Sequence, residues 1–426
     1  MAARKPPAPA PSPMSATLPA QTLRFQEKRE AILSAAASLF NQHGVKGATL
    51  ADIAASVGLV TNSVTYYYRK KEDLATACFL RAIEVFRGII EKAAQAPDVE
   101  SRVSAFFRLH SALLAGIDRG EQPPMMQFND MRALPSPHFE TVSTAYNEMF
   151  RRLRELLRTP QTAKLGRADL AARTYTVISV AHWLRSWIDR YETSEYARIA
   201  ERVSDIVVHG SAAAGSVWSP ASAAELGWQL TADQDATSEA FLRAASLLVN
   251  EQGYRGASVD MISAQLNVTK GSFYHHNDNK EDLISACFER TFAVIRRALS
   301  LADGIQGSGW DRACAISRSL ARFQLSPEGP LLRLGATSAL SDPARRAEVR
   351  RTMSRLNERL AGVVVDGMMD GSIRPLHPVI AAQVASGLVN SAASVGHWVP
   401  GATQDNVAET YVRPIFLGIL CPPSEA

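Results

Sequence analysis

Cysteine is scarce in this chain: Cys78, Cys287, Cys314 and Cys421 are the only four in 426 residues. None stands in a Cys-x-x-Cys pair, so neither a disulfide framework nor a zinc site is expected. No apolar run reaches the roughly 18 residues that a spanning helix needs, so no membrane span is expected. The excess of positive charge is small, a formal +4. Bulk charge therefore neither demands nor forbids a nucleic-acid partner, and its distribution has to decide. Catalytic signatures are missing as well: no Gly-x-Ser-x-Gly, no His-Glu-x-x-His, no P-loop and no dinucleotide-binding glycine pattern. An enzyme is not expected, and a helical enzyme without a recognisable motif is only a remote alternative. No cofactor and no metal are called for. A reducing cytoplasm is the simplest setting.

What is present is an ordinary globular balance, 46% hydrophobic and 21% charged residues, with ample material for cores. The opening "MAARKPPAPAPSPMSATLPA" has basic residues but no apolar segment behind them. It reads as a disordered tail over residues 1–22 rather than a secretory signal.

One phrase occurs twice. "KEDLATACFLR" begins at Lys71 and "KEDLISACFER" at Lys280, 209 positions later. At that offset Ala31–Arg87 aligns with Ala240–Arg296 without a gap, and more than a third of the 57 positions are identical. A period this long is far above that of solenoid repeats and indicates duplication of a whole domain-sized unit. His182-Trp183 and His397-Trp398 occupy similar late places in the two copies. Between the copies, "GSVWSPASAAELGWQL" is rich in Ser, Ala, Gly and Pro and reads as a linker over residues 215–230. Its Trp and Leu residues are candidates for docking on a surface.

The periodicity is helical nearly throughout. Ile32, Ala36, Leu39 and Phe40 share one helical face, and Phe241, Ala245, Leu248 and Val249 repeat it. Gly44 and Gly253 then stop each helix. A short helix follows, with Thr49 or Ser258 at its N-cap. Gly58 and Asn267 come next, at equivalent places. Both tolerate a left-handed backbone, so the turn geometry is what the two copies share. Two short helices joined by such a turn form a helix-turn-helix. The second helix would turn Val64 or Phe273 inward and leave a polar, aromatic face outside.

"GVKGATLADIAASVGLVTNSVTYYYRKKEDL" and "GYRGASVDMISAQLNVTKGSFYHHNDNKEDL" resemble the DNA-binding headpiece of TetR-family transcriptional repressors. The resemblance implies an all-α fold of two tandem units. Each would be a three-helix headpiece plus a helical ligand-binding and dimerisation body. The expected boundaries are 1–22 for the tail, 23–74 for the first headpiece and 75–214 for the first body. The linker takes 215–230, the second headpiece 231–283 and the second body 284–421. The family's usual unit is a homodimer, so this chain resembles two subunits fused into an intramolecular pseudo-dimer. The alternative is a homodimer that uses only the first headpiece.

The expected partner is a double-stranded DNA operator. A recognition helix presents short polar side chains to base edges in the major groove. Thr61, Asn62, Ser63 and Thr65 fill that role in the first copy and Lys270 and Ser272 in the second, where Gly271 lies on the same DNA-facing stretch. The resemblance places Tyr66, Tyr67, Tyr274 and His275 against phosphate, together with Thr49, Ser258, Lys71 and Lys280. His275 and His276 are adjacent on a helix, hence about 100° apart, and have no third ligand beside them, so metal is not expected there. The first unit departs from the family pattern at Val60, where a capping Ser is usual. Charge separates the copies further. Met1–Lys92 has 12 Lys and Arg against 7 Asp and Glu, whereas Thr231–Ser300 has 7 against 9. Phosphate neutralisation dominates affinity, so the first headpiece is expected to bind DNA more strongly.

In the first body Phe107, His110, Met126, Phe128, Met131, Trp183 and Trp187 are candidates to line a pocket for an apolar or amphipathic inducer. The second body is poorer in aromatics and promises less. Small residues in "IAAQVASGLVNSAASVGHW" suit close helix approach at a dimer-like interface.

Overall fold

The computed structural model describes residues 20–218, 236–254, 256–268 and 279–423. Among these residues the only strand-like feature is one isolated antiparallel bridge, Ala212 with Ile373. Everything else regular is helical.

The first unit opens with α1 (Ala20–His43), which starts inside the segment expected to be tail. Helices α2 (Leu50–Ser56) and α3 (Thr61–Tyr67) follow. Thr49 caps α2 reciprocally: its Oγ1 accepts from Asp52 N at 3.1 Å, and its own N–H donates to Asp52 Oδ2 at 3.1 Å. Val60 gives α3 no side-chain cap. Gly58 between the two helices has φ +66°, and Asn267 in the second unit has φ +54°. Each turn closes with the same six-residue hydrogen bond, Leu59 N to Ala54 O at 2.8 Å and Val268 N to Ser263 O at 3.0 Å. The shared turn geometry expected from this Gly–Asn exchange is present.

Helix α4 (Lys71–Ala93) joins headpiece to body. Its buried stripe of Leu74, Cys78, Phe79, Ala82, Phe86 and Ile90 keeps helical spacing over its whole length. Each large apolar side chain so buried contributes about 1.5–3 kcal/mol. The body adds α5 (Val99–Asp118), a 3-10 segment (Phe128–Ala133), α6 (His138–Leu156), α7 (Arg167–Leu184) and α8 (Tyr196–His209). The second unit supplies α9 (Ala236–Gln252), α10 (Val259–Gln265), α11 (Lys280–Asp303) and α12 (Gly309–Gln324). A second 3-10 segment (Leu334–Ala339), α13 (Pro343–Met369) and α14 (Pro378–Ala392) follow. Two short helices, α15 (Val395–Trp398) and α16 (Arg413–Phe416), come last.

The joint between headpiece and body is built twice from the same residues. Arg81 on α4 bridges Glu30 of α1 at 3.1 Å and the carbonyl of Pro124 at 2.7 Å. Arg290 on α11 bridges Glu239 of α9 at 2.6 Å and the carbonyl of Pro330 at 3.2 Å. Asn41 donates to Met125 O at 2.9 Å and accepts from Gln127 N at 2.9 Å. Asn250 repeats both bonds with Leu331 O and Arg333 N. Both arginines therefore fix α4 or α11 to the headpiece and to the loop beyond it.

Late helices of the two units pack together, α14 on α7 and α8, with α16 against α8. The small residues serve that approach: a Cβ on Gly387 would lie 2.7 Å from the Trp183 ring. Trp183 Nε1 donates to Gln383 Oε1 at 3.2 Å inside this contact. Trp398 of the second unit stacks near Tyr146, Phe150 and Tyr175 of the first. Trp218, in the stretch expected as linker, docks with its indole N–H on the Glu409 carboxylate at 2.8 Å. No described helix is long and apolar enough to cross a membrane.

Candidate nucleic-acid interface

Helix α3 buries one side chain and leaves the others exposed or half-buried. Val64 is 0% accessible, whereas Tyr66 is 76% and Val60 69% accessible. Thr61 and Asn62 are exposed, and Ser63, Thr65 and Tyr67 are half-buried. Thr65 Oγ1 donates to Asn62 O at 3.0 Å, so its proton is committed to the helix backbone. Thr61 and Asn62 thus form the open polar start of the helix. Tyr68, just after the helix, is buried.

Phe25 is a member of this surface that the repeat alone does not reveal, because it precedes the aligned window. Its ring lies 4.7 Å from that of Tyr67 and 6.2 Å from that of Tyr66. Arg24 and Lys28 flank it on α1, and Arg69 and Lys70 follow α3 directly; all four are exposed. The signal was available as "RFQEKR" before the repeat and "RKK" after the helix.

The two equivalent lysines already have internal work. Lys71 Nζ donates to Lys46 O at 3.3 Å. Lys280 Nζ donates to Tyr254 O and sits 4.1 Å from the centre of that residue's ring. Both tie the α4 or α11 start to the loop after the first helix. Thr49 and Ser258 are the N-caps expected of them, Ser258 accepting from Met261 N at 3.2 Å. Lys270, Gly271, Ser272, Tyr274 and His275 lie outside the described residues. So do Phe273 and His276.

The start of α4 is anchored to the body. Asp73 accepts from His138 Nε2 at 2.9 Å. That hydrogen bond, with the Lys70 N–H, holds the Asp73 carboxyl below its ordinary range. In the second unit Asp282 takes Arg345 at 3.0 Å instead.

The candidate pocket residues of the first body do not all converge. Phe128 stands among the rings of Tyr146 at 5.0 Å, His182 at 5.2 Å and Phe86 at 5.9 Å. His110 lies 5.2 Å from Phe86. Phe107 meets Phe106 edge-on at 5.5 Å. Met126 is buried and Met131 half-buried. Trp187 meets Tyr191 edge-on at 6.1 Å. Trp183 instead faces the second unit through Gln383. Burial pushes His110 down to about 3 and His182 down to about 4, so both rings are neutral. Nδ1 of His110 and Nε2 of His182 make no hydrogen bond.

A cavity of about 50 Å³ lies in the second body, the one that sequence composition favoured less. Phe288, Phe292, Leu320 and Leu356 form its apolar wall, with Gln324 and Asn357 as polar points. Gln324 and Asn357 are internally bonded, to Val389 O at 2.9 Å and Met353 O at 3.1 Å.

All four cysteines are buried free thiols. Cys78 and Cys287 point at equivalent carbonyls, Leu33 and Leu242, and burial pushes both up to about 12. They are packing residues at matched positions.

Two stretches of the chain, residues 32–78 and 241–287, match the bacterial regulatory proteins of the tetR family. The chain therefore carries two tandem copies of a tetR-type region. It is 36% identical over 74 residues to the transposon Tn10 TetC protein of Escherichia coli, covering 17% of this chain and 37% of TetC. It is 42% identical over 48 residues to the biofilm operon icaADBC HTH-type negative transcriptional regulator IcaR of Staphylococcus epidermidis, covering 11% of this chain and 26% of IcaR. The chain thus spans little more than a third of the curated relatives' length at most. Among solved structures, apo AibR is similar at 24% identity, over 44% of this chain and 99% of that one, with a TM-score of 0.35.

Proposed function

We propose that this chain is a sequence-specific DNA-binding transcriptional regulator that carries two non-identical reading heads. The observation that carries the reading is α3: a helix anchored by one buried Val64, with Thr61 and Asn62 exposed at its start and Arg69 and Lys70 exposed just beyond its end. That arrangement places hydrogen-bonding side chains for base edges beside cations for phosphate. Residues 23–74 and 231–283 are the two headpieces, and 75–214 and 284–421 the bodies. The bodies act as an intramolecular pseudo-dimer, which the packing of α14 on α7 and α8 supports.

Repression is the proposed output, supported by the likeness of the headpiece to that of a negative transcriptional regulator. An apolar or amphipathic inducer releases the DNA. The cavity in the second body, walled by Phe288, Phe292, Leu320 and Leu356, supports an inducer site there. The second reading is a homodimer that uses only the first headpiece, and the net negative charge of Thr231–Ser300 favours it.

Site selection from random duplexes by the full chain, with solution mass measured alongside, tests both. The pseudo-dimer selects an asymmetric two-half site at the mass of one chain, and Asn62→Ala and Lys270→Ala each weaken binding. The homodimer selects a palindrome at twice that mass and ignores Lys270→Ala. Selection of no site at low salt overturns DNA recognition altogether.

A further inference from the structure

Asp130 sits in the 3-10 segment Phe128–Ala133 of the first body, yet it touches both headpieces. Its Oδ2 accepts from Val45 N, in the loop after α1, at 2.6 Å. Its Oδ1 faces Gly253, which ends α9 of the other headpiece; a Cβ there would lie 2.2 Å away. Gly44 and Gly253 are equivalent residues, with φ +72° and +71°. One carboxylate is therefore wedged between the same turn of the two copies. The turn on the far side must be glycine because the oxygen fills the space of a side chain. Lys46 adds a second contact, since its Nζ lies 2.9 Å from where a Cβ on Gly256 would stand.

The wedge has no counterpart in the second unit. Gln127 and Arg333 make the same backbone bond to Asn41 and Asn250, which sets the register of the two loops. Three residues on from each stand Asp130 and Ala336. The second segment (Leu334–Ala339) still packs against α1, but an alanine stands where the acid would be. The other end of the first segment is Phe128, whose ring is embedded among Phe86, Tyr146 and His182.

We infer that Asp130 is a positioning residue that fixes the separation of the two headpieces, and so the half-site spacing that the chain accepts. The spacing half of this inference rests on the DNA-binding reading above; the separation half does not. A half-buried carboxylate held by a backbone N–H on one headpiece and packed on glycine of the other resists their relative sliding. Because Phe128 shares its short helix, a rearrangement of the first body's aromatic core moves the wedge and both headpieces with it.

The test labels the full chain at Ala55→Cys and Ala264→Cys, exposed equivalent positions on α2 and α10, and measures the spin–spin distance distribution. The native thiols are buried and stay unlabelled. With Asp130 intact the distribution is a single narrow peak. Asp130→Ala makes it about twofold wider, as the two heads sample several separations. Asp130→Asn, which keeps the shape and one acceptor, falls between and guards against a misfolded alanine variant. Circular dichroism confirms that each variant is helical. Widths unchanged in both variants overturn the inference. Site selection adds an independent arm: the parent accepts one half-site spacing and Asp130→Ala accepts several. A wider distance distribution in a protein whose parent selects no DNA keeps the wedge and discards the DNA-binding reading.

Discussion

The guanidinium of Arg173, on α7 of the first unit, donates to the carbonyl oxygen of Cys421 at the end of the second, at 2.9 Å. Its Nε donates to Ile419 O at 2.8 Å, and Asp169 stands 3.5 Å from its Nη1. The side chain is 1% accessible. An arginine so enclosed is tolerable only because each face finds an acceptor. It ties the last residues of the second unit to the middle of the first.

Arg173→Ala strands two buried carbonyls, at about 1–3 kcal/mol for each group left unsatisfied. The expected result is a lower midpoint in urea unfolding followed by helical signal. Arg173→Lys recovers only part of the loss, because an ammonium cannot present the same planar fork to two separate carbonyls. Full recovery by lysine would mean that charge rather than geometry holds the contact.

Base reading and phosphate binding separate by salt. Asn62→Ala should cost about 1–3 kcal/mol on the preferred site and relax discrimination at one base pair. Arg69→Ala and Lys70→Ala should weaken binding to every duplex alike, and each should reduce the slope of log K against log salt by about 0.9. Fluorescence anisotropy between 50 and 200 mM salt, about the range in which such slopes are steep, reads both effects. An Asn62→Ala variant with undiminished sequence preference would remove Asn62 from the base-reading set.

His110 and His182 make the first body acid-sensitive. Both are held neutral by burial, His110 at about 3 with His182 and Arg185 as further contributions, and His182 at about 4. The unfolded chain takes up protons at an ordinary histidine value near 6.5. The stabilisation is thus fully present above about pH 6.5 and is lost as pH falls toward the folded values, by roughly 1.4 kcal/mol per pH unit for each ring. Thermal unfolding between pH 7 and pH 5, a window of about two units below neutrality, should show the midpoint dropping on acidification. Replacing both rings, as His110→Phe with His182→Phe, should flatten that dependence. An unchanged slope in the double variant would assign the acid sensitivity to carboxylates elsewhere.

The parts of this structure set by local rules were legible in the sequence. Thr49 and Ser258 cap helices because a hydroxyl before an apolar run satisfies free N–H groups. Gly58 and Asn267 revealed a left-handed turn because few other residues tolerate it. Cys78 and Cys287 declared themselves as core by occupying one position in two copies. What the sequence concealed is set by distance. Trp183 reads as a pocket residue beside His182, but a helical side chain's direction is decided by what packs there, and Gln383 is 200 positions away. The bond from Lys71 Nζ to Lys46 O, a carbonyl in a loop 25 residues upstream, was equally out of reach of sequence spacing. The aromatics drew attention to the first body for a ligand, and the cavity among Phe288, Phe292, Leu320 and Leu356 of the second was not foreseen.

The matched joints at Arg81 and Arg290 have a consequence for how this chain can change. In a symmetric assembly of two identical chains, every altered residue is inherited at both ends of the particle. Here an alteration at one joint leaves its twin intact. Glu328, for example, gives Arg290 a carbonyl that Arg81 does not have, and Arg81 reaches Ser34 at 3.2 Å where Arg290 has no such neighbour. Each half is its own experiment, free to stiffen or loosen while the other preserves the working design.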